Sequence, residues 1–161
     1  MTLREEFKKD LANAKSAERL VRQVFSSLTT EYSFEDVSEI PTCYSLGDIK
    51  ATNKTTGKEI YIEVKDDSRI ADTYNILCED EVYYKDSDYY AKGNMHSNYD
   101  IYCVVSQQAR KIYVLDFSVL RKIYKKGDFK VIRHPRQESE CYLLPLCYAS
   151  RDGALITTVN Y

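Results

Sequence analysis

A chain of 161 residues, 43% of them hydrophobic and 30% charged, is long enough to bury a real core in one domain spanning 1–161. A net charge of −2 argues against strong non-specific nucleic-acid binding by the whole chain, and no apolar run is long enough to span a bilayer. The five cysteines (Cys43, Cys78, Cys103, Cys141 and Cys147) are odd in number and lack close pairs, and only His96 and His134 supply imidazoles, which argues against a disulfide framework or a zinc site. With no secretory pattern in the first residues, the expectation is reduced thiols in a cytoplasmic protein without a membrane partner.

Residues 2–28 predict one amphipathic helix. Thr2 is placed to cap it, and Glu5 and Glu6 suit the positive end of its dipole. Leu3, Phe7, Leu11, Ala14, Ala17, Val21, Val24, Phe25 and Leu28 form one stripe at helical spacing. Glu18 lies near the middle of that stripe, where an acid needs a buried basic partner, an edge to reach, or a cation. Residues 29–44 read as a connector with weak strand character around 32–37, ended by Pro41, with Asp36 and Glu39 in solvated roles.

The stretch 46–68, LGDIKATNKTTGKEIYIEVKDDS, predicts a hairpin. Ile60, Ile62 and Val64 alternate with Tyr61, Glu63 and Lys65, the period-two pattern of a half-buried strand. Asp48 is expected on the first strand. A symmetric loop centred between Thr55 and Thr56 puts it opposite Glu63, with Cβ atoms about 4.5–5.5 Å apart. A bulge at Gly57 would shift that register by one. Two close carboxylates repel unless a cation sits between them, and Mg²⁺ characteristically takes one or two carboxylates with water and phosphate. Lys65, two residues on, is placed to polarise a water or to stabilise developing phosphate charge. An exposed strand face with cross-strand charge pairs gives the same spacing.

Residues 66–72 read as a polar loop, in which Asp66 and Asp67 are solvated or modulate the site from its rim. Periodicity leaves 73–84 open between helix and irregular strand. Residues 85–98 read as a long polar loop with a turn at Gly93-Asn94, in which Lys85, Lys92 and His96 are candidate phosphate contacts. Residues 100–106 predict a central strand and 111–115 its hairpin partner. Asp116 or Ser118 then caps a short helix closed by Gly127, whose Arg121, Lys122, Lys125 and Lys126 complement its dipole. From 129 onward, short apolar runs separated by Pro135, Pro145 and Gly153 suggest edge strands or an extra small sheet. A homodimer contact there is one option, with no further support in the sequence.

Charge is unevenly spread. Residues 110–136 hold nine Lys/Arg and two acids, whereas 31–100 hold seven Lys/Arg and sixteen acids. An acidic centre with a basic flank suits a metal-dependent phosphodiesterase, though solvated surfaces cluster charge as well. There is no glycine-rich phosphate loop and no nucleophile elbow, and no local signature supports Cys–His catalysis.

Asp48, a short hairpin and Glu63-Val64-Lys65 together resemble the PD-(D/E)XK, or restriction-endonuclease-like, nuclease superfamily. The block of Asn98-Tyr99-Asp100, the hairpin carrying Ile112-Tyr113-Val114, and the helix with Leu120-Arg121 resembles the tail of its small members. The likeness covers roughly 10–125. Gly47 stands where the motif has Pro, and Asn98 and Tyr99 stand where a basic residue is expected. The resemblance implies an α/β (α+β) fold, a mixed central β-sheet flanked by helices, here with extra C-terminal strands. It implies Mg²⁺, with Mn²⁺ as substitute, bound by Asp48, Glu63 and the Val64 carbonyl, with Glu18 in support and Lys65 handling water. It implies an endonuclease whose partner is nucleic acid, with DNA expected. The alternatives are an inactive nucleic-acid-binding or protein-interaction module of the same fold, and a purely structural partner protein.

Overall fold

The computed structural model of the chain describes residues 2–84, 89–127, 130–133 and 140–161. Helix α1 (Leu3–Leu28) starts at a capping box in which the Glu5 amide donates to Thr2 Oγ1 (3.3 Å) and the Thr2 amide to Glu5 Oε2 (2.7 Å). Strands β1 (Tyr32–Asp36), β2 (Ile49–Asn53) and β3 (Glu59–Asp66) follow. A single turn α2 (Ile70–Thr73) leads to β4 (Asn75–Tyr84) and β5 (Tyr89–Lys92). Then come β6 (Ile101–Ser106), β7 (Lys111–Asp116), α3 (Phe117–Lys126), β8 (Lys130–Arg133), β9 (Glu140–Pro145), α4 (Leu146–Arg151) and β10 (Leu155–Asn160).

The strands form a six-stranded sheet, β1-β2-β3-β6-β7-β10, and a four-stranded sheet, β5-β4-β9-β8. The large sheet is mixed, because β3 and β6 run parallel while its other neighbours are antiparallel. The chain between β3 and β6 makes the crossover and contributes β4 and β5 to the second sheet. Alternation along the central strands divides the core in two. Cys103, Val105, Ile112 and Val114 face α1, packing with Ala17, Val21, Ile49, Ala51, Ile62 and Val64. Tyr102, Val104, Tyr113 and Leu115 face the other way, against Ile76 and Cys78 of β4, Leu144 of β9, and the apolar sides of α3 and α4. The architecture is thus a mixed sheet flanked by helices, with extra C-terminal strands. No described helix is long and apolar enough to cross a membrane.

The hairpin register is the symmetric one, with Ile49 opposite Ile62 and Thr52 opposite Glu59, so Gly57 turns the chain (φ 72) without shifting it. Asp116 caps α3, accepting the Val119 amide at 3.1 Å, and Gly127 closes it. Other expectations are corrected. Strand β3 is not half-buried. It is central, and Ile62, Glu63 and Val64 are all buried because both faces of the sheet are covered. Residues 75–84, open in the sequence between helix and irregular strand, form a strand. The long polar loop expected at 85–98 is instead partly β5, which pairs with β4 over Tyr89–Lys92. Helix α4 leaves no signal in the sequence, since its six residues are too few to show a period. The apolar stripe of α1 is buried only in its middle. Phe7 is 68% and Leu11 51% exposed, because a 26-residue helix about 39 Å long outruns the strands beneath it.

Candidate active site

Gly47 sets the entry of Asp48. Its φ of 135° lies in the region that favours glycine, and a Cβ there would sit 2.7 Å from the Ile62 carbonyl oxygen. Proline, fixed near −65°, cannot take that conformation, which accounts physically for the departure from the expected Pro. Asp48 lies just before β2, not on it. The Asp48 amide donates to Ile62 O and its carbonyl accepts the Val37 amide, both at 2.9 Å. Its carboxylate then turns onto β3 and accepts the Val64 amide, Oδ2 to N, at 2.9 Å.

Glu63 and Lys65 share one face of β3, and Lys65 Nζ lies 2.9 Å from Glu63 Oε1. Glu18 arrives from α1. It is only 5% exposed, so the acid in the apolar stripe is indeed buried. Its charge is met by Lys15, one turn back, at 3.1 Å. Lys15 also bonds Ser38, whose amide and hydroxyl both donate to Asp36, and it lies 3.9 Å from Glu39. Asp36 and Glu39 are exposed as expected, but they stand behind Glu18 rather than apart from it.

These groups line one cleft of about 300 Å³, walled by Asp10, Asn13, Ala14 and Glu18 of α1, by Asp48, and by Glu63, Val64, Lys65 and Asp66 of β3. Its electrostatics are those of crowded acids. Burial first, and the Glu63 charge second, push the Asp48 carboxyl up to about 7, against the Val64 amide and Lys65. Burial and then the Asp48 charge raise Glu18, with Lys15 opposing. Burial alone would lower Lys65, but the Glu63 and Glu79 carboxylates outweigh it and hold the ammonium protonated well above its ordinary range.

The structure therefore brings Glu18, Asp48, Glu63, Val64 and Lys65 together. Lys92 and His96 do not line the cleft. Lys92 is on β5 opposite Glu81, and His96 Nε2 is engaged by Asp80 Oδ1 at 2.7 Å. Lys85 lies outside the described residues. Sequence reasoning missed Asp10 and Asn13, two polar residues of α1 that reach the cleft from the turns preceding Glu18. It missed Glu79 and Tyr99 as well, which act on Lys65 from β4 and from the segment before β6. Tyr99 is tied there by edge-to-face packing on Phe117, with centroids 4.9 Å apart. Its helical spacing made Glu18 visible, whereas nothing local marks Glu79 or Tyr99.

Among the described residues, no group of three or more His, Cys, Asp and Glu forms a preassembled metal cage. The donor set is nonetheless the hard-oxygen kind that Mg²⁺ takes, two adjoining carboxylates with room for water and phosphate. The buried like charges of Asp48 and Glu63 are what a divalent cation would relieve. No family model, curated protein or solved structure matches the chain.

Proposed function

We propose that this chain is a metal-dependent nuclease that hydrolyses phosphodiester bonds, with DNA as substrate, as its resemblance to PD-(D/E)XK enzymes implies. One observation carries the reading: Asp48, Glu63 and Lys65 converge in a cleft that also receives the buried Glu18 from a separate element. A fold spends stability to crowd acids in this way, and such perturbed groups cluster at functional sites. Fold alone argues no reaction, so the site must.

Asp48 and Glu63 would hold Mg²⁺, or Mn²⁺ in its place, with the Val64 carbonyl and Glu18 completing the shell directly or through water. The bound cation supplies charge compensation and polarises the phosphoryl oxygens. The Val64 amide holds one oxygen of the Asp48 carboxylate and so fixes the group beside Glu63. Lys65 is held protonated by Glu63 and Glu79, so it serves as a donor. Its Nζ orients the attacking water or a non-bridging oxygen and does not accept a proton. Lys15 balances Glu18 and thereby keeps that carboxylate directed at the cleft.

The test is cleavage of single-stranded, duplex and branched DNA with Mg²⁺ or Mn²⁺, with and without chelator, by wild type and Lys65→Ala. We expect metal-dependent cutting that falls by roughly 10²-fold or more in the variant, the usual cost of removing one charge-stabilising donor. Cutting that survives in Lys65→Ala removes the mechanism. No cutting by either protein, together with no Mn²⁺ binding that depends on Asp48, leaves an interaction module in its place.

A further inference from the structure

A second and larger cavity, about 510 Å³, lies along the same helix, lined by Ser16, Arg19 and Gln23 of α1, Gln107 and Arg110 of the β6–β7 turn, and Tyr161. The two cavities share a wall. Gln107, which lines the larger one, donates through Nε2 to Asp66 Oδ1 at 3.1 Å and to the Asn13 carbonyl at 3.5 Å, and Asp66 and Asn13 both line the acidic cleft. Ser16, Leu20 and Gln23 continue the line of Asn13 at helical spacing, so the two cavities lie side by side along one face of α1. The two cavities have opposite chemistry: the cleft presents Asp10, Glu18, Asp48, Glu63 and Asp66 around one lysine, whereas the lining of the second holds two guanidiniums and no acidic side chain.

Arg110 is built into place. It adopts φ 54°, a left-handed conformation rare for a residue with a side chain. Its carbonyl accepts the Tyr161 amide at 3.2 Å, and its Nε donates to the Tyr161 main-chain oxygen at 2.6 Å. The guanidinium thereby lies over the Tyr161 ring, 5.6 Å from its centroid. A guanidinium plane joined to an aromatic ring, with a second arginine and amides nearby, is the equipment for one nucleotide. The phosphate takes charge-assisted hydrogen bonds from guanidinium, and an unstacked base lies on the planar pair.

We infer that this second cavity binds a nucleotide unit of single-stranded DNA, with Arg19 and Arg110 on a phosphate and the Arg110–Tyr161 pair on its base, next to the unit cleaved in the acidic cleft. The inference rests on the nuclease reading for the position of the cut, but not for binding itself. A base held on Arg110 and Tyr161 must be out of a duplex stack, so the substrate is a single strand or a frayed end.

The test is fluorescence anisotropy of a labelled single-stranded oligodeoxynucleotide and of its duplex, across a salt series, in chelator and again with Mg²⁺ on the Lys65→Ala background. The proteins are the parent chain, Arg19→Ala, Arg110→Gly and Tyr161→Ala. Glycine at 110 removes the side chain while suiting the left-handed backbone, and Arg19 projects from an exposed helix face, so these two variants keep the fold even if Tyr161→Ala does not. Single strand should bind more tightly than duplex. Tyr161→Ala should weaken it by about tenfold. Each arginine variant should weaken it and reduce the log–log salt slope by about 0.7, the value for one fewer phosphate neutralised on a single strand. Equal affinity for duplex, unchanged salt slopes in both arginine variants, or no single-strand binding in either condition overturns the inference. Binding that behaves as expected without any metal-dependent cleavage overturns only the nuclease reading.

Discussion

Crowding acids in a cleft makes the metal-free protein sensitive to pH, and Asp48→Asn isolates the effect. Burial and Glu63 carry the folded-state carboxyl from its ordinary 3.8 to about 7. An acid raised on folding contributes stability that is complete below its unfolded pKa. That contribution is lost as pH climbs through the folded value, because the unfolded chain then releases the proton more readily. The window runs from about pH 4 to about pH 7. At about 1.36 kcal/mol per pH unit its ceiling is roughly 4 kcal/mol. Asparagine keeps an acceptor for the Val64 amide and discards the charge. Urea unfolding in chelator should therefore show wild type losing at least about 1 kcal/mol between pH 5 and pH 8, with Asp48→Asn losing clearly less. At pH 8, Mn²⁺ should restore wild type by mass action and leave the variant unmoved. A wild type as stable at pH 8 as at pH 5, or a variant with the same pH slope, would refute the account of Asp48 as a buried, repelled carboxylate.

Three further substitutions probe how the site and core are held. Gly47→Ala forces a Cβ to within 2.7 Å of the Ile62 carbonyl at an unfavourable φ, so urea unfolding should show a loss of about 2–3 kcal/mol, and Mn²⁺ titration should weaken as Asp48 shifts. Tyr102→Phe removes the hydroxyl that accepts the buried Asn94 amide at 2.8 Å, which should cost about 1–3 kcal/mol by chemical denaturation while metal-dependent cleavage is retained. Phe7→Ala and Leu11→Ala should each change stability by no more than about 0.5 kcal/mol, against roughly 3–5 for a buried phenylalanine, because both side chains are mostly exposed.

Much of the fold was legible where a local rule and the tertiary environment agree. Thr2 and Asp116 announce helix starts because capping is satisfied within four residues. The symmetric register of the β2–β3 hairpin follows from Asn53, whose Oδ1 accepts the Thr55 and Thr56 amides and closes the loop locally. Sequence failed where distant partners decide. Residues 75–84 carry no clean alternation because β4 pairs β5 on one side and β9 on the other, so its environment is set by chain some 60 residues away. The stripe of α1 was right in phase but wrong in extent, since periodicity gives the face of a helix and not the length of what lies beneath it.

The same distinction separates the site residues. Asp48, Glu63 and Lys65 are tied by a hairpin whose closure is local, so their meeting could be argued from spacing. Glu18 was found by a contradiction, an acid at an apolar phase, and it is buried as that contradiction required. Only charge and nearness along the chain single out Lys92 and His96. Nearness along the chain decides little once β4 and β5 carry that segment into the second sheet, where Asp80 engages His96. Arg19, Gln107, Arg110 and Tyr161 break no local rule except the positive φ of Arg110, which only coordinates reveal. The acidic cleft was therefore readable and the basic cavity beside it was not. A hairpin writes its contacts into adjacent residues, whereas the basic cavity is assembled from a helix, a turn and the chain after β10, which meet only when the sheet and α1 have packed.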